Sequence, residues 1–410
     1  MKCRHCATAL DPSADVFLDL GAAPPSNAFL REQDLGAAET HFPLKVLTCP
    51  ACRLVQVDEV QRHDALFSDD YVYFSSYSSS WVAHARRYVD AVVERLALGP
   101  RSMVMEVASN DGYLLQHVMA RGIPCIGIEP TACTAAAARA KGIETIGEFF
   151  GAAFGRRYRA ARGRVDLVLG NNVLAHVPDI NDFVAGFREV LAPSGSVTVE
   201  FPHLLQLVQQ GQFDTVYHEH FSYLSLATVS RIFAAQHLTV WDVEALPTHG
   251  GSLRVWAQHR DHPRAPTARV AEMLGLEAGA GMDRADFYRG LQARADRIKD
   301  ALVGFLIEQK RAGRSVVGYG AAAKGNTLLN YAGVRSDLLP FVVDASPHKQ
   351  GRYLPGSRIP VRDEAALRAA RPDCVLVLPW NLRDEIAGQL AYVRDWGARF
   401  VTAVPELQVW

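Results

Sequence analysis

The chain has 410 residues, with 43 Lys+Arg against 44 Asp+Glu and a formal net charge of −1. Hydrophobic residues make up 49% and charged residues 21%, which excludes disorder as the dominant state and a strongly basic nucleic-acid binder. No apolar run approaches the ~18 residues needed to span a bilayer, and none near the N-terminus could act as a secretory signal. A cytoplasmic location without disulfides is expected, and at roughly 150 residues per domain the length predicts two or three domains.

Four of the seven cysteines form two C-x-x-C pairs, Cys3/Cys6 and Cys49/Cys52. Cys125, Cys133 and Cys374 are scattered and read as small core residues. Residues 1–70 hold short apolar runs divided by Pro and Gly turns, a small strand-and-turn module with little core of its own. Thiolates are soft ligands, and two such knuckles build a tetrahedral site suited to zinc. Four cysteines leave no position open for water, so the expected zinc is structural. His5, inside the first knuckle, is a competing ligand. An aromatic stretch follows (Phe67, Tyr71, Tyr73, Phe74, Tyr77, Trp81), then an amphipathic run from Trp81 to Leu98 that predicts a helix ending at Gly99-Pro100.

From Met103 the pattern alternates between strand and helix, with MVMEVA, PCIGIE, VDLVLG and SVTVEF as strands. Such alternation predicts an α/β fold with a parallel sheet. Leu238–Ala245 and Ser252–Gln258, joined by Pro247-Thr248-His249-Gly250-Gly251, add two closing strands in hairpin order, which a dinucleotide-binding sheet lacks. Residues 260–282, rich in Pro, Ala and Gly, read as a linker or surface excursion. A helix is expected from about Asp283 to Arg311, followed by a smaller Rossmann-like α/β sheet (SVVGYG, PFVVDA, DCVLVLP, RFVTAV). The expected division is 1–70, 71–282 and 283–410, with a seven-stranded sheet in the middle block.

The first central strand runs into Glu106-Val107-Ala108-Ser109-Asn110-Asp111-Gly112. A G-x-G-x-x-G turn would suit a pyrophosphate, but only Gly112 matches a glycine position. S-adenosylmethionine (SAM) has no pyrophosphate and needs only a tight strand-to-helix turn with polar groups. Glu129, about 20 residues on, stands where a carboxylate accepts from ribose hydroxyls. Asn171 and Asn172 end the next long strand, followed closely by His176. The densest chemical cluster is Tyr217-His218-Glu219-His220-Phe221-Ser222-Tyr223, whose base, carboxylate and phenols suit acid–base work. On an extended segment its two histidines would share a side. His249 sits in its Gly-Gly turn, and Gly318-Tyr319-Gly320-Ala321-Ala322-Ala323-Lys324-Gly325-Asn326 follows a strand and opens a helix, an arrangement that binds anions.

This succession resembles the zinc-containing C-methyltransferases of deoxysugar biosynthesis over nearly the whole chain. The resemblance is carried by CxxC…CxxC, FSDDYVYFSSYSSSW, EVASNDG, GIEP, NNVLAHV, VYHEHFSYLS, THGGSLRV and GYGAAAKGNTLLNY. It implies methyl transfer from SAM to C-3 of a dTDP-linked 4-keto-6-deoxysugar through an enolate. By the same resemblance His220 is the base, with Tyr217 and Glu219 orienting it or binding the sugar. Tyr71 and His176 hydrogen-bond the substrate or the developing enolate oxygen. Glu106, Ala108, Asn110, Gly112, Glu129, Asn171, Asn172 and Tyr77 are assigned to the cofactor. Tyr223, His249, Lys324 and Asn326 are assigned to the substrate, Lys324 to its diphosphate.

Two other classes compete. A nicotinamide-dependent oxidoreductase could use the C-terminal sheet, but GYGAAA lacks the third glycine. A zinc-ribbon protein that binds RNA would want a basic stripe, which a net charge of −1 does not favour. No membrane or nucleic-acid partner is expected, and the layout is compatible with a monomer.

Overall fold

The structure, a computed structural model, describes residues 1–58 and 74–410. Tyr71, with Phe67 and Tyr73, lies outside the described residues. An antiparallel meander comes first: β1 (Val16–Ala23), β2 (Phe42–Thr48) and β3 (Val55–Val57). The central strands follow as β4 (Val104–Val107), β5 (Cys125–Ile128), β6 (Thr145–Ile146), β7 (Val165–Asn171) and β8 (Leu191–Pro202). The short β9 (Ser222–Tyr223) then crosses to the N-terminal sheet and pairs with β3, Val55 opposite Tyr223. Next, β10 (Leu238–Leu246) and β11 (Ser252–His259) complete a seven-stranded sheet in the order β10-β11-β8-β7-β4-β5-β6. Strands β4 to β8 are parallel, and β11 runs antiparallel to both β8 and β10, which is the expected closing hairpin.

All four residues of β4 are buried because both faces of this sheet are covered. Met105 and Val107 pack with Phe183 and Phe187 of the helix Ile180–Val190 on one side. Val104 packs with Ala85, Tyr88, Val89 and Val92 of the helix Ser79–Leu96 on the other. Two covered faces make a continuous apolar run rather than an alternating one. The Ser79–Leu96 helix is capped by Ser78, whose hydroxyl accepts from the Trp81 amide at 3.2 Å, and ends with Ala97 in the left-handed region (φ 50°).

The C-terminal sheet comprises β12 (Val316–Tyr319), β13 (Val342–Val343), β14 (Val361–Arg362), β15 (Cys374–Val377), β16 (Arg399–Thr402) and β17 (Gln408–Val409). Its order is β14-β13-β12-β15-β16-β17, parallel except for β17. The expected long helix is Leu291–Arg311, preceded by a 3-10 turn at Ala285–Arg289. Its Leu291, Ala295, Ile298 and Leu302 join Phe17 and Leu20 of β1 and Val342 of β13 in one core. The first and last blocks of the chain are therefore packed together around that helix.

Residues 260–282 are not a linker, as their composition suggested. Ala268–Gly279 is a helix that buries Val270 and Glu277. Glu277 accepts from His203 Nε2 at 2.8 Å and from the amides of Leu226 and Ala227 at 2.6 and 2.9 Å, capping the helix Leu226–Ala235. Val270, Met273 and Leu274 lay a short apolar stripe on the central core, but its next position is the buried Glu277, which cuts the 3.6-residue hydrophobic period short. Among the described residues, no helix is long and apolar enough to cross a membrane.

Candidate functional site

The four Sγ atoms of Cys3, Cys6, Cys49 and Cys52 lie within 4.8 Å of one another, with Cys3–Cys52 and Cys6–Cys49 both at 3.5 Å. Metal–sulfur bonds of about 2.3 Å in a tetrahedron need sulfurs roughly 3.8 Å apart, so the donor set fits. The knuckles match in backbone shape as well. Ala7 and Arg53, each following a second cysteine, are left-handed (φ 59° and 63°), and each amide donates to the carbonyl of the knuckle's first cysteine at 3.0 Å. His5 is not among the ligand atoms; its Nδ1 meets Asn181 Oδ1 at 2.9 Å.

At the carboxyl edge of the central sheet, the loop after β4 takes a shape usually left to glycine. Ala108, Asn110 and Gly112 all have positive φ, at 55°, 51° and 76°. Glycine suits the Gly112 conformation, and a Cβ there would also displace the tip of Ile143, whose Cδ1 would lie 2.4 Å away. Asn110 is placed by its side chain, whose Oδ1 accepts from the Ser75 amide at 2.9 Å. Glu129, after β5, accepts from the amides of Asn110 and Thr131, each at 2.9 Å. Burial nevertheless raises its carboxyl above the ordinary value, and pushes that of Glu106, at the end of β4, well above it.

Polar atoms around this loop are buried yet lack partners among the described residues: Ser109 Oγ, Asp111 Oδ1, Glu106 Oε2 and both amide atoms of Asn171. Buried polar groups are normally satisfied, and such a cluster at a sheet's carboxyl edge is what a polar cofactor would fill. Tyr77 stands further out, 59% exposed, with its hydroxyl 3.1 Å from His348 Nε2 of the C-terminal block.

The Tyr217–Tyr223 segment turns rather than extends, with the His220 amide donating to the Tyr217 carbonyl at 3.0 Å. The two histidines consequently point apart. His218 Nε2 reaches the carbonyls of Phe42 and Pro43 at 3.2 Å, while His220 Nδ1 donates to the Thr215 carbonyl at 2.9 Å. That bond places the ring hydrogen on Nδ1 and leaves Nε2 as the acceptor. Burial, with His176 beside it, holds the His220 imidazole well below its usual range, so the neutral form prevails at pH 7.

Tyr217 lies over His220 with ring centroids 3.9 Å apart, His176 meets it edge-on at 4.5 Å, and Tyr223 stands edge-on at 6.0 Å. Burial lowers His176 to about 4 and pushes the Tyr223 phenol far above its usual range. Glu219, 2% exposed, accepts from Asn27 Nδ2 through both carboxylate oxygens, at 2.8 and 2.9 Å, and burial pushes it up to about 7. Asn172 Nδ2 lies 3.1 Å from His249 Nε2, which joins the end of β7 to the Gly-Gly turn before β11.

The C-terminal block closes the same cleft. Lys324 Nζ donates to Asn381 Oδ1 at 2.6 Å and sits 4.9 Å over the Trp380 ring; Trp380 Nε1 in turn donates to Asp214 at 2.8 Å. Burial lowers Lys324 and raises Asp214 to about 6, while the ammonium acts electrostatically on both His220 and His249. A Cβ on Gly250 would run into Trp380 at 2.4 Å, so the Gly-Gly turn admits the indole. Asn326 is buried, and neither of its side-chain amide atoms has a partner among the described residues.

Sequence reasoning missed several members of this cleft: Asn27, Asp214, Trp380, Asn381 and the buried group around Glu200. Glu200 accepts from His84 and Arg254 (2.9 and 2.8 Å) and from Thr248 (2.9 Å), which braces the His249 turn. Burial pushes this carboxyl upward, but His84 and Arg254 outweigh it and hold it below its ordinary value. A charged residue within the apolar strand SVTVEF was a readable signal; Asn27 and Asp214 carried none.

Three family models cover most of the chain: a zinc-binding domain over residues 3–67, a methyltransferase domain over 81–243 and a C-methyltransferase C-terminal domain over 247–405. The C-methyltransferase NovU of Streptomyces niveus is 36% identical over 410 residues, spanning 100% of this chain and 96% of that protein. Among solved structures, one from Pyrococcus horikoshii aligns at 15% identity over 46% of this chain and 95% of its own, with a TM-score of 0.38. The 1,6-didemethyltoxoflavin N1-methyltransferase of Burkholderia thailandensis aligns at 17% identity over 51% and 95%, also with a TM-score of 0.38. Such low scores leave the fold to rest on the sheet order itself. With a full-length relative at that identity and a seven-stranded sheet closed by an antiparallel hairpin, the chain belongs to the C-methyltransferase family.

Proposed function

We propose that this protein transfers a methyl group from SAM to C-3 of a dTDP-linked 4-keto-6-deoxysugar, with His220 as the base. The observation that carries the reading is the tautomer of His220: Nδ1–H is tied to the Thr215 carbonyl, and a neutral ring presents Nε2 to the cleft. A hydrogen on C-3 is acidified by the adjacent C-4 ketone, so Nε2 can remove it as the carbonyl oxygen gains charge. His176 and Tyr71 are the groups assigned to the substrate or that oxygen, where preorganised donors matter most. Lys324, whose ammonium acts electrostatically on both His220 and His249, is the group assigned to the sugar diphosphate. Tyr217 orients the base, Glu219 binds the hexose, and His249, Tyr223 and Asn326 shape the substrate side.

SAM, when bound, supplies an electrophilic methyl on a sulfonium. Glu106, Ala108, Asn110, Gly112, Asn171 and Asn172 would hold it, and Glu129 would accept from its ribose hydroxyls, with Tyr77 near the rim. The unpaired buried atoms of Asn171 and Ser109 support that placement. Zinc, held by Cys3, Cys6, Cys49 and Cys52, would serve structure alone, because four thiolates complete its coordination.

The test is incubation with SAM and a panel of dTDP-4-keto-6-deoxysugars in deuterated water, following methylation and C-3 exchange. Exchange should occur in the wild type and vanish in His220→Ala, which should still bind SAM. Methylation by that variant at the wild-type rate would overturn the assignment.

A further inference from the structure

We propose that Asn27, carried by the cysteine-cluster module, is a positioning residue of the reaction site: it sets the plane of the Glu219 carboxylate toward the hexose. The proposal rests on the reading of Glu219 as sugar-facing and deepens it.

One amide nitrogen spans both oxygens of Glu219, at 2.8 and 2.9 Å, and among the described residues it is the donor that carboxylate has. A buried carboxylate with one neutral donor has its orientation decided by that donor. Asn27 is itself clamped. It follows Pro24 and Pro25, whose rings restrict the backbone, and its neighbour Ser26 Oγ lies 3.4 Å from Thr327 Oγ1 of the C-terminal block. Thr327 Oγ1 donates to the Val216 carbonyl at 2.9 Å, one residue before Tyr217. Three residues beyond Asn27, Leu30 forms a bridge with Tyr353.

The same N-terminal sheet reaches the reaction segment a second time, through the pairing of β3 with β9. The N-terminal block therefore grips Tyr217–Tyr223 at two points, through β3 on β9 and through Asn27 in the connection from β1 to β2. The cysteine cluster clips that sheet where β2 runs into Cys49 and β3 leaves Cys52. This gives the cluster a task beyond its own stability, since it holds the frame from which Asn27 is presented.

The first experiment needs no sugar: thermal unfolding of the full chain from pH 5 to pH 8, for wild type, Asn27→Ala, Glu219→Gln and the double variant. A carboxyl raised in the folded state contributes stability that is fully present below its unfolded value, about 4.3, and is lost as pH rises through the folded value. Deleting the amide donor raises Glu219 further. Asn27→Ala should therefore cost little at pH 5 and lower the folding constant by about tenfold more at pH 8. In the Glu219→Gln background its cost should be flat with pH. The second experiment measures kinetics: Asn27→Ala should raise the sugar KM about tenfold with SAM affinity within twofold of wild type, and Asn27→Ser, which keeps a donor, should recover part of the loss.

A pH-independent cost of Asn27→Ala with Glu219 present, or a loss of SAM affinity matching the loss of turnover, would overturn the proposal. If the pH-dependent arm holds while the wild type turns over no keto-sugar, the substrate reading falls and the Asn27–Glu219 link stands.

Discussion

The two edges of the cleft are built on different plans. On the proposed cofactor edge, one contiguous loop, Glu106–Gly112, does most of the shaping, with Ala108, Asn110 and Gly112 left-handed and with Ser109 Oγ, Asp111 Oδ1 and Glu106 Oε2 unpaired among the described residues. On the reaction edge, Asn27, His176, Thr215, Glu219, His220, Lys324 and Trp380 arrive from all three sheets' neighbourhoods, and most are already bonded to one another. The first plan suits a ligand that brings its own hydrogen-bonding groups. The second suits chemistry, because fixed partners set tautomers and proton affinities before substrate arrives.

The contrast can be broken at several points. Stripping metal with a strong chelator, or Cys49→Ser, should have the largest effect. Structural zinc in small domains contributes about 10–16 kcal/mol of apparent binding energy, so the N-terminal sheet should loosen and turnover should vanish. SAM binding, followed by titration calorimetry, should weaken far less than turnover: the cysteine cluster shares a core with β4 and β5, but the hydrogen bonds that set Asn110 and Glu129 come from outside that sheet. Loss of both together would erase the distinction between the edges.

His220→Ala should come next, with a fall of about 10²–10⁴ in single-turnover rate at unchanged SAM affinity. On the other edge, Gly112→Ala puts a Cβ against Ile143 in a left-handed turn and should cost about 2 kcal/mol, seen as a lower urea midpoint and weaker SAM binding. A Gly112→Ala protein that binds SAM normally would mean that the loop is less exacting than its backbone angles imply. The smallest effect should come from Ala108→Gly, which relieves an alanine at φ 55° and should stabilise by up to about 1 kcal/mol, measured as a rise in Tm.

The sequence carried a large part of this. The paired C-x-x-C spacing pointed to the cysteine cluster, and the buried strands β4, β5, β7 and β8 read directly as apolar runs because a sheet covered on both faces leaves no polar period. The hairpin of β10 and β11 was legible from its alternating pattern and its Gly-Gly turn. The helix Ala268–Gly279 was not, since its apolar stripe of Val270, Met273 and Leu274 is short and gives way to the buried Glu277. Spacing alone left the sides of His218 and His220 open, shared if the segment extends and opposite if it coils, and the turn at Tyr217 sends them apart.

Local chemistry, then, was written in the chain: thiols at knuckle spacing, small residues in a turn, and a histidine, a carboxylate and a phenol within one short stretch. What those groups do to one another was decided by the tertiary structure alone. The Nδ1 hydrogen of His220, the plane of Glu219 and the nearness of Lys324 depend on partners scattered through the chain, from Asn27 in the first block to Asn381 in the last. Periodicity and spacing report only on near neighbours, whereas burial and long-range hydrogen bonds set proton affinity, and these exist only once the three sheets have come together.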